Sequence, residues 1–388
     1  MIQTRFAERG GGVVVDTDWM AVFEPGLAQM SSDLEALVSL ESPSEDAARV
    51  SHLAAWVRDR LRERGVNAEL RPCPPRGEAL LASVGPGGGG TLLLGHLDTV
   101  WPVGSLLTNP FRVQGERAQG PGVFDMKAGI AVAMAVLAAL ARERHPPAVS
   151  LLLVPDEEVG TQASRELLLS VARRHRQVLV LEPSQEGAAK IARKGTGFFR
   201  VSFTGRAAHA GLDPEKGASA LAELARFVLF LETLGDPAAG TTVTPTVAQA
   251  GSVSNVVPER ATLAVDVRVW SQEEAKRVEA ALREHRSADP RVFIAAEGGF
   301  DRPPMEPTPA SQALYARAQS IALGLRFDLG AARVGGASDG NLTAAAGLPT
   351  LDGLGPAGGG AHARNEYVLV PDLPRRAALL AGLAVELD

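Results

Sequence analysis

The sequence predicts an α/β protein built on a mixed, largely parallel sheet, with a smaller ferredoxin-like α+β domain inserted into it. Three observations carry this prediction. Short, continuous apolar runs at residues 91–94, 149–154 and 178–181 fit strands buried on both faces. An Ala-rich, helix-patterned segment at 126–144 separates the first two, giving the strand–helix–strand order of a parallel unit. Beyond Lys194 the pattern changes to alternating apolar and polar residues, as in strands with one wet face.

Taken in chain order, residues 1–17 read as a loose tail. Arg5 and Arg9 precede Gly10, Gly11 and Gly12, and only Val13, Val14 and Val15 follow before Asp16. That run is far short of the roughly 7–15 apolar residues of a secretory signal. No uninterrupted run reaches the ~18 apolar residues of a membrane span, so a cytoplasmic protein is expected. Helical patterns follow from Asp18 and from Ser44 to Gly65. A glycine stretch at 85–90 introduces the first buried strand, and Pro155 and Pro183 stop the second and third. Arg142, Arg144, Pro146 and Pro147 close the intervening helix, which are proper stop signals.

In the inserted domain, residues 194–302, Phe199, Val201 and Phe203 alternate with Arg200, Ser202 and Thr204. Residues 218–234 read as an amphipathic helix. Leu263, Val265, Val267 and Val269 then alternate with polar or small neighbours. Ser271 with Glu274 fits a capping box that opens a helix to about Arg286, and 292–295 is a further strand. The order β-α-β-β-α-β is ferredoxin-like. Signals for the first sheet resume at Pro303, so residues 18–193 and 303–388 form one discontinuous domain.

Charge and cysteine content narrow the function classes. Lys plus Arg number 39 and Asp plus Glu 45, a net charge of −6, which argues against nucleic-acid binding, where cationic contacts to phosphate dominate affinity. Cys73 is the one cysteine, so neither an internal disulfide nor a thiolate metal cluster is available. Any metal must be held by His, Asp and Glu.

Such residues fall at the ends of the predicted buried strands. His96 and Asp98 follow the first, Glu157 and Glu158 the second, and Glu182 the third. Open α/β sheets place their sites at these carboxyl ends. Asp125 adds a fourth element at the start of the Ala-rich helix, and His362 sits in a glycine loop. Nitrogen and oxygen donors without thiols suit two Zn²⁺, with Mn²⁺ or Co²⁺ as alternatives. A two-metal hydrolase also needs a bridging carboxylate and a base that is not a ligand; adjacent Glu157 and Glu158 can divide the roles of base and ligand.

The segments Gly95-His96-Leu97-Asp98-Thr99-Val100, Gly120 to Lys127, Pro155-Asp156-Glu157-Glu158-Val159-Gly160 and Gly360-Ala361-His362 resemble, in order, the signatures of the di-zinc exopeptidases. That family comprises glutamate carboxypeptidases, aminoacylases and the acetylornithine and succinyl-diaminopimelate deacylases, and the chain is most similar to bacterial glutamate carboxypeptidases. The resemblance implies a zinc-exopeptidase-like catalytic domain with an inserted lid and dimerisation domain, and a homodimer. It implies that Asp125 bridges the metals, that His96 and Glu182 complete one site, and that Glu158 and His362 complete the other. Glu157 is then the general base, and Asp98 fixes the His96 tautomer. A cis peptide between Asp125 and Met126 is implied as well. In the inserted domain, the resemblance assigns His209 to the oxyanion, Asn255 to substrate, Arg268 to a substrate carboxylate, Arg302 to a second carboxylate, and Gly335 and Gly336 to an anion-binding loop.

Carboxypeptidase and deacylase members of the family have Glu at the position of Glu182, where aminopeptidases have Asp. The expected reaction is therefore amide hydrolysis that releases a C-terminal amino acid, with glutamate the candidate, from a small peptide or N-acyl amino acid. An N-acyl-amino-acid deacylase or aminoacylase is the alternative, and a non-catalytic ligand-binding relative is disfavoured by the intact Glu157.

Overall fold

The structure is a computed structural model that describes residues 5–9, 12–86 and 88–385. The chain forms two compact units: residues 1–191, 307–332 and 346–388 make the first, residues 192–306 and 333–345 the second.

After the short helix Trp19–Phe23, the first unit carries helices α1 (Leu27–Ser39) and α2 (Ala47–Glu63). Asp46 caps α2 by accepting the Arg49 N–H, which places the first helical residue, Ala47, three residues inside the span read from sequence. Strands β1 (Asn67–Pro72) and β2 (Glu78–Val84) form a hairpin, and β3 (Thr91–His96) follows. Helix α3 (Ala128–Leu140), β4 (Val149–Val154) and β5 (Gln177–Val180) complete the central part. The six-stranded sheet runs in the order Thr350–Leu351, β5, β3, β4, β2, β1. The first three pairings are parallel and the last two antiparallel, the mixed, largely parallel sheet expected. All residues of β3, β4 and β5 are buried, which accounts for their unbroken apolar runs.

Helix α3 and the helix Asp372–Val385 belong to the same apolar core. The window Val123–Leu140 has a mean hydropathy of 1.9, enough to cross a membrane by composition, but 83% of it is buried inside the protein. Its apolarity serves the core.

Within the expected loose tail, Arg5–Arg9 pairs with Gly12–Asp16 as an antiparallel hairpin; β-branched Val13, Val14 and Val15 favour extended backbone. Residues 1–4, 10 and 11 lie outside the described residues.

The second unit contains β6 (Gly195–Thr204), α4 (Ala220–Glu232), β7 (Thr242–Ala250), β8 (Arg260–Val269), α5 (Gln272–Glu284) and β9 (Phe293–Arg302). Its sheet has the order β7-β8-β6-β9 and is antiparallel throughout, giving the ferredoxin-like arrangement. Phe199, Val201, Phe203, Val265, Val267 and Phe227 are among the buried residues of its separate core. Ser271 accepts the Glu274 N–H at 3.2 Å, the backbone half of the expected capping box. Strand β7 is an edge strand, which tolerates Pro245.

The second unit also takes in residues 333–345, placed by sequence in the first domain. Asn341 Nδ2 donates to the carbonyls of Lys194 (3.1 Å) and Pro303 (2.7 Å). Arg302 pairs with Asp339 at 2.6 Å. These bonds attach the segment to both ends of the inserted stretch.

Candidate metal centre

The five ligands implied by the resemblance all lie in the first unit. His96 ends β3, Glu158 lies in the turn Glu157–Val159 after β4, and Glu182 follows β5. Asp125 precedes α3 with non-helical backbone, φ −114° and ψ 97°, and its peptide to Met126 is cis, as implied. His362 has φ +63°. The loop beside it closes tightly, since a Cβ on Gly360 would sit 2.9 Å from the Asn365 carbonyl oxygen.

Asp125 stands between two groups of donors. Its Oδ1 lies 3.3 Å from His96 Nε2, which is itself 3.3 Å from Glu182 Oε1. Its Oδ2 lies 3.2 Å from His362 Nε2, which is 3.3 Å from Glu158 Oε1. Each carboxylate oxygen therefore faces a different imidazole. Ligand atoms of His96, Asp125 and Glu158 lie within 4.8 Å of one another.

Charge and hydrogen bonding both leave a demand for cations here. His96 Nε2, Asp125 Oδ1 and Glu158 Oε1 are buried without a hydrogen-bond partner, a costly condition for polar atoms unless another species satisfies them. The carboxylates of Asp125 and Glu158 beside it push the His362 imidazole up to about 10. Burial opposes charge on His96, but Asp125, Asp98 and Glu182 together hold its pKa well above the usual imidazole range. Burial raises the Glu158 carboxyl. Three carboxylates and two imidazoles thus converge where divalent cations fit, and the donor set is the nitrogen–oxygen set that Zn²⁺ accepts.

The profile of Peptidase family M20/M25/M40 matches residues 92–386. The chain belongs to this peptidase family. Carboxypeptidase G2 of Pseudomonas sp. (strain RS-16) is 32% identical to this M20 chain over 367 residues, covering 91% of this chain and 88% of the relative. An acetylornithine deacetylase of Proteus mirabilis (strain HI4320) is 30% identical over 201 residues, half of each chain. The crystal structure of Bacillus subtilis YXEP protein, a dinuclear metal binding peptidase from the M20 family, superposes with a TM-score of 0.70 at 17% identity, over 93% of this chain and 98% of that one. The protein is accordingly an M20 metallopeptidase-family enzyme with a two-unit α/β fold.

Asp98 departs in detail from its expected part. His96 Nδ1 lies 2.9 Å from the Asp98 carbonyl oxygen and 3.4 Å from its carboxylate Oδ1. The backbone carbonyl is the nearer acceptor, and it orients the ring so that Nε2 faces Asp125 and Glu182. The buried carboxylate instead pins the following turn: Oδ1 accepts the Glu157 N–H, while Oδ2 accepts the Glu158 N–H and the Ser44 hydroxyl.

In the second unit the M20 chain brings His209 and Asn255 together. Ala210 N–H donates to the Asn255 carbonyl and Val257 N–H to the Ala208 carbonyl, both at 2.9 Å. His209 Nδ1 accepts the N–H groups of Gly211 and Leu212, each at 3.1 Å. With Nδ1 an acceptor, the ring proton sits on Nε2, and the exposed side chain offers that N–H as a donor.

The two expected carboxylate-binding arginines already hold carboxylates of the chain. Arg268 Nε and Nη2 contact the two oxygens of Asp266 at 2.9 and 3.0 Å, and Nη1 donates to Thr196 Oγ1 at 2.8 Å. Arg302 is buried against buried Asp339. Removing one partner of a buried pair strands the other's charge. Arg302→Ala should therefore cost the second unit about 3–5 kcal/mol, measured as a lowered urea midpoint; an unchanged midpoint would show that the pair holds nothing in place. Gly335 and Gly336 have open space around them. The neighbouring amides of Ser338 and Gly340 are bound internally by Asn341 Oδ1 and Ser338 Oγ.

Proposed function

We propose that this protein is a two-metal carboxypeptidase that hydrolyses an amide bond to release a C-terminal amino acid from a small peptide or N-acyl amino acid. The observation that carries the reading is Asp125, whose two oxygens each face a separate imidazole–carboxylate pair. Two Zn²⁺, replaceable by Mn²⁺ or Co²⁺, would be held by His96, Asp125 and Glu182 and by Asp125, Glu158 and His362. When bound, such ions acidify water and polarise a carbonyl.

The remaining work falls to the chain's own side chains. Glu157 accepts a proton from the attacking water at its carboxylate and returns it to the leaving nitrogen. Asp98 holds the backbone of Glu157 and Glu158 in register. His209 offers its Nε2–H to the developing oxyanion, in a homodimer across to the neighbouring subunit. Asn255 contacts substrate, and Arg268, with Gly335 and Gly336, takes the α-carboxylate. The cytoplasm is the proposed location.

Similarity to carboxypeptidase G2 over nearly the whole chain, together with Glu182, supports carboxypeptidase action. Similarity to acetylornithine deacetylase over half the chain favours a second reading, an N-acyl-amino-acid deacylase. Zinc-loaded protein assayed against N-acyl amino acids of graded acyl size and against dipeptides separates the two. Elemental analysis should find about two metals per subunit, as a two-metal site requires. Free amino acid should appear fastest from peptidyl or aromatic acyl substrates; exclusive cleavage of acetyl groups would favour the deacylase. A protein without metal after zinc loading would sink both.

A further inference from the structure

We propose that Glu366 is a positioning residue of the metal centre, holding the backbone of Asp125 in place from the loop that also carries His362; the inference rests on the two-metal reading above.

Glu366 is fully buried. Its Oε1 accepts the N–H groups of Phe124 (2.9 Å) and Asp125 (3.0 Å), and its Oε2 accepts the N–H of Gly122 (2.9 Å) and the indole N–H of Trp101 (2.8 Å). Four donors on one side chain saturate a carboxylate, which as an ion is acceptor-only. Such bonds are among the stronger ones available to a protein.

The three segments tied together each serve the centre. Trp101 follows the His96–Asp98 stretch, and residues 122–125 lead into the shared carboxylate. Asp125 has non-helical backbone, so its N–H needs an acceptor from elsewhere. Gly122 turns with φ +69°, and a Cβ there would lie 2.7 Å from Thr99 Cγ2, so this approach is fixed sterically as well. On the other side, the Glu366 N–H donates to the Ala363 carbonyl and the Ala363 N–H to the Gly360 carbonyl, both at 2.9 Å. His362 and Glu366 thus ride on one tightly wound loop. That loop grips Asp125 at two points, its carboxylate through the His362 ring and its backbone through Glu366. A carboxylate that faces two donor groups at once must be aimed accurately in both directions, and partners behind metal ligands typically contribute 10–100-fold in metal affinity.

The test compares zinc binding to metal-free wild type, Glu366→Gln and Trp101→Phe, by competition with a chelator, with circular dichroism confirming folding. Glu366→Gln keeps the size of the side chain but turns one acceptor toward two N–H donors into a donor. It should weaken zinc binding by about 10–100-fold while remaining folded. Trp101→Phe removes one donor that does not touch the Asp125 segment and should leave zinc affinity near wild type. If Glu366→Gln does not fold, Glu366→Asp, which keeps the charge with a shorter reach, should show a smaller zinc-induced rise in Tm than wild type. Wild-type zinc affinity in a folded Glu366→Gln, or an undiminished rise in Glu366→Asp, would overturn the inference while leaving the metal reading intact. A wild-type protein that takes up no zinc would overturn the metal reading and this inference with it.

Discussion

Glu157→Gln should abolish turnover while metal content stays at the wild-type level. The residue shares a turn with Glu158, and both backbones are pinned by Asp98, so the amide variant should keep the geometry of the centre. What it loses is a carboxylate able to take up a proton. General acid–base catalysis by one side chain contributes roughly 10²–10⁴-fold. Here the loss should exceed that range, because in the proposed mechanism the same group removes a proton from water and delivers one to the leaving nitrogen. Single-turnover rates measured beside elemental analysis separate the two properties. Wild-type-like rates in this variant would reject the role, and loss of metal would move Glu157 into the ligand set.

Amidating the α-carboxylate of an otherwise good substrate should lower kcat/KM by about 10⁴-fold or more, as expected when a site built for a charged group is left with unpaired donors. Arg268 is the side chain proposed to take that carboxylate, and its bidentate edge is occupied by Asp266. An incoming carboxylate must compete with Asp266 or use the Nη1 side, which Thr196 occupies. Arg268→Ala should therefore abolish most discrimination between acid and amide, chiefly by slowing the acid. Equal rates on acid and amide with the wild-type enzyme would overturn the carboxypeptidase reading in favour of a broader amidohydrolase. Selectivity for a glutamate side chain is no longer expected to reside in Arg302, since that guanidinium is buried against Asp339.

The features legible in the sequence are those encoded locally. Strands β3, β4 and β5 announce themselves because burial on both faces makes them mostly apolar, with only isolated polar residues such as Thr91, Ser150 and Gln177, and their parallel ends carry His96, Glu157, Glu158 and Glu182 to one edge of the sheet. Strand β7 left no comparable signature, because most of it is exposed and Pro245 interrupts it. Glu366 was illegible for a different reason. It acts mainly on backbone N–H groups, which every residue except proline has, and its partner Phe124 lies 242 residues away. The pairings of Arg268 and Arg302 were hidden in the same way: an arginine's type states that it will find an anion, and only the fold states whether that anion is a substrate or a neighbour.

The tight loop of residues 360–366 has a consequence for the order of events during synthesis. Asp125, Glu158 and Glu182 leave the ribosome long before His362 and Glu366 do. Until those last two arrive, the shared carboxylate lacks one imidazole and the Glu366 acceptor that holds its own backbone N–H. A chain not yet extended to residue 362 would therefore lack part of the proposed metal-binding set, even after its central strands have formed. The proposed metal centre is thus assembled only once residues 360–366 have been made, whatever the earlier segments have already folded into.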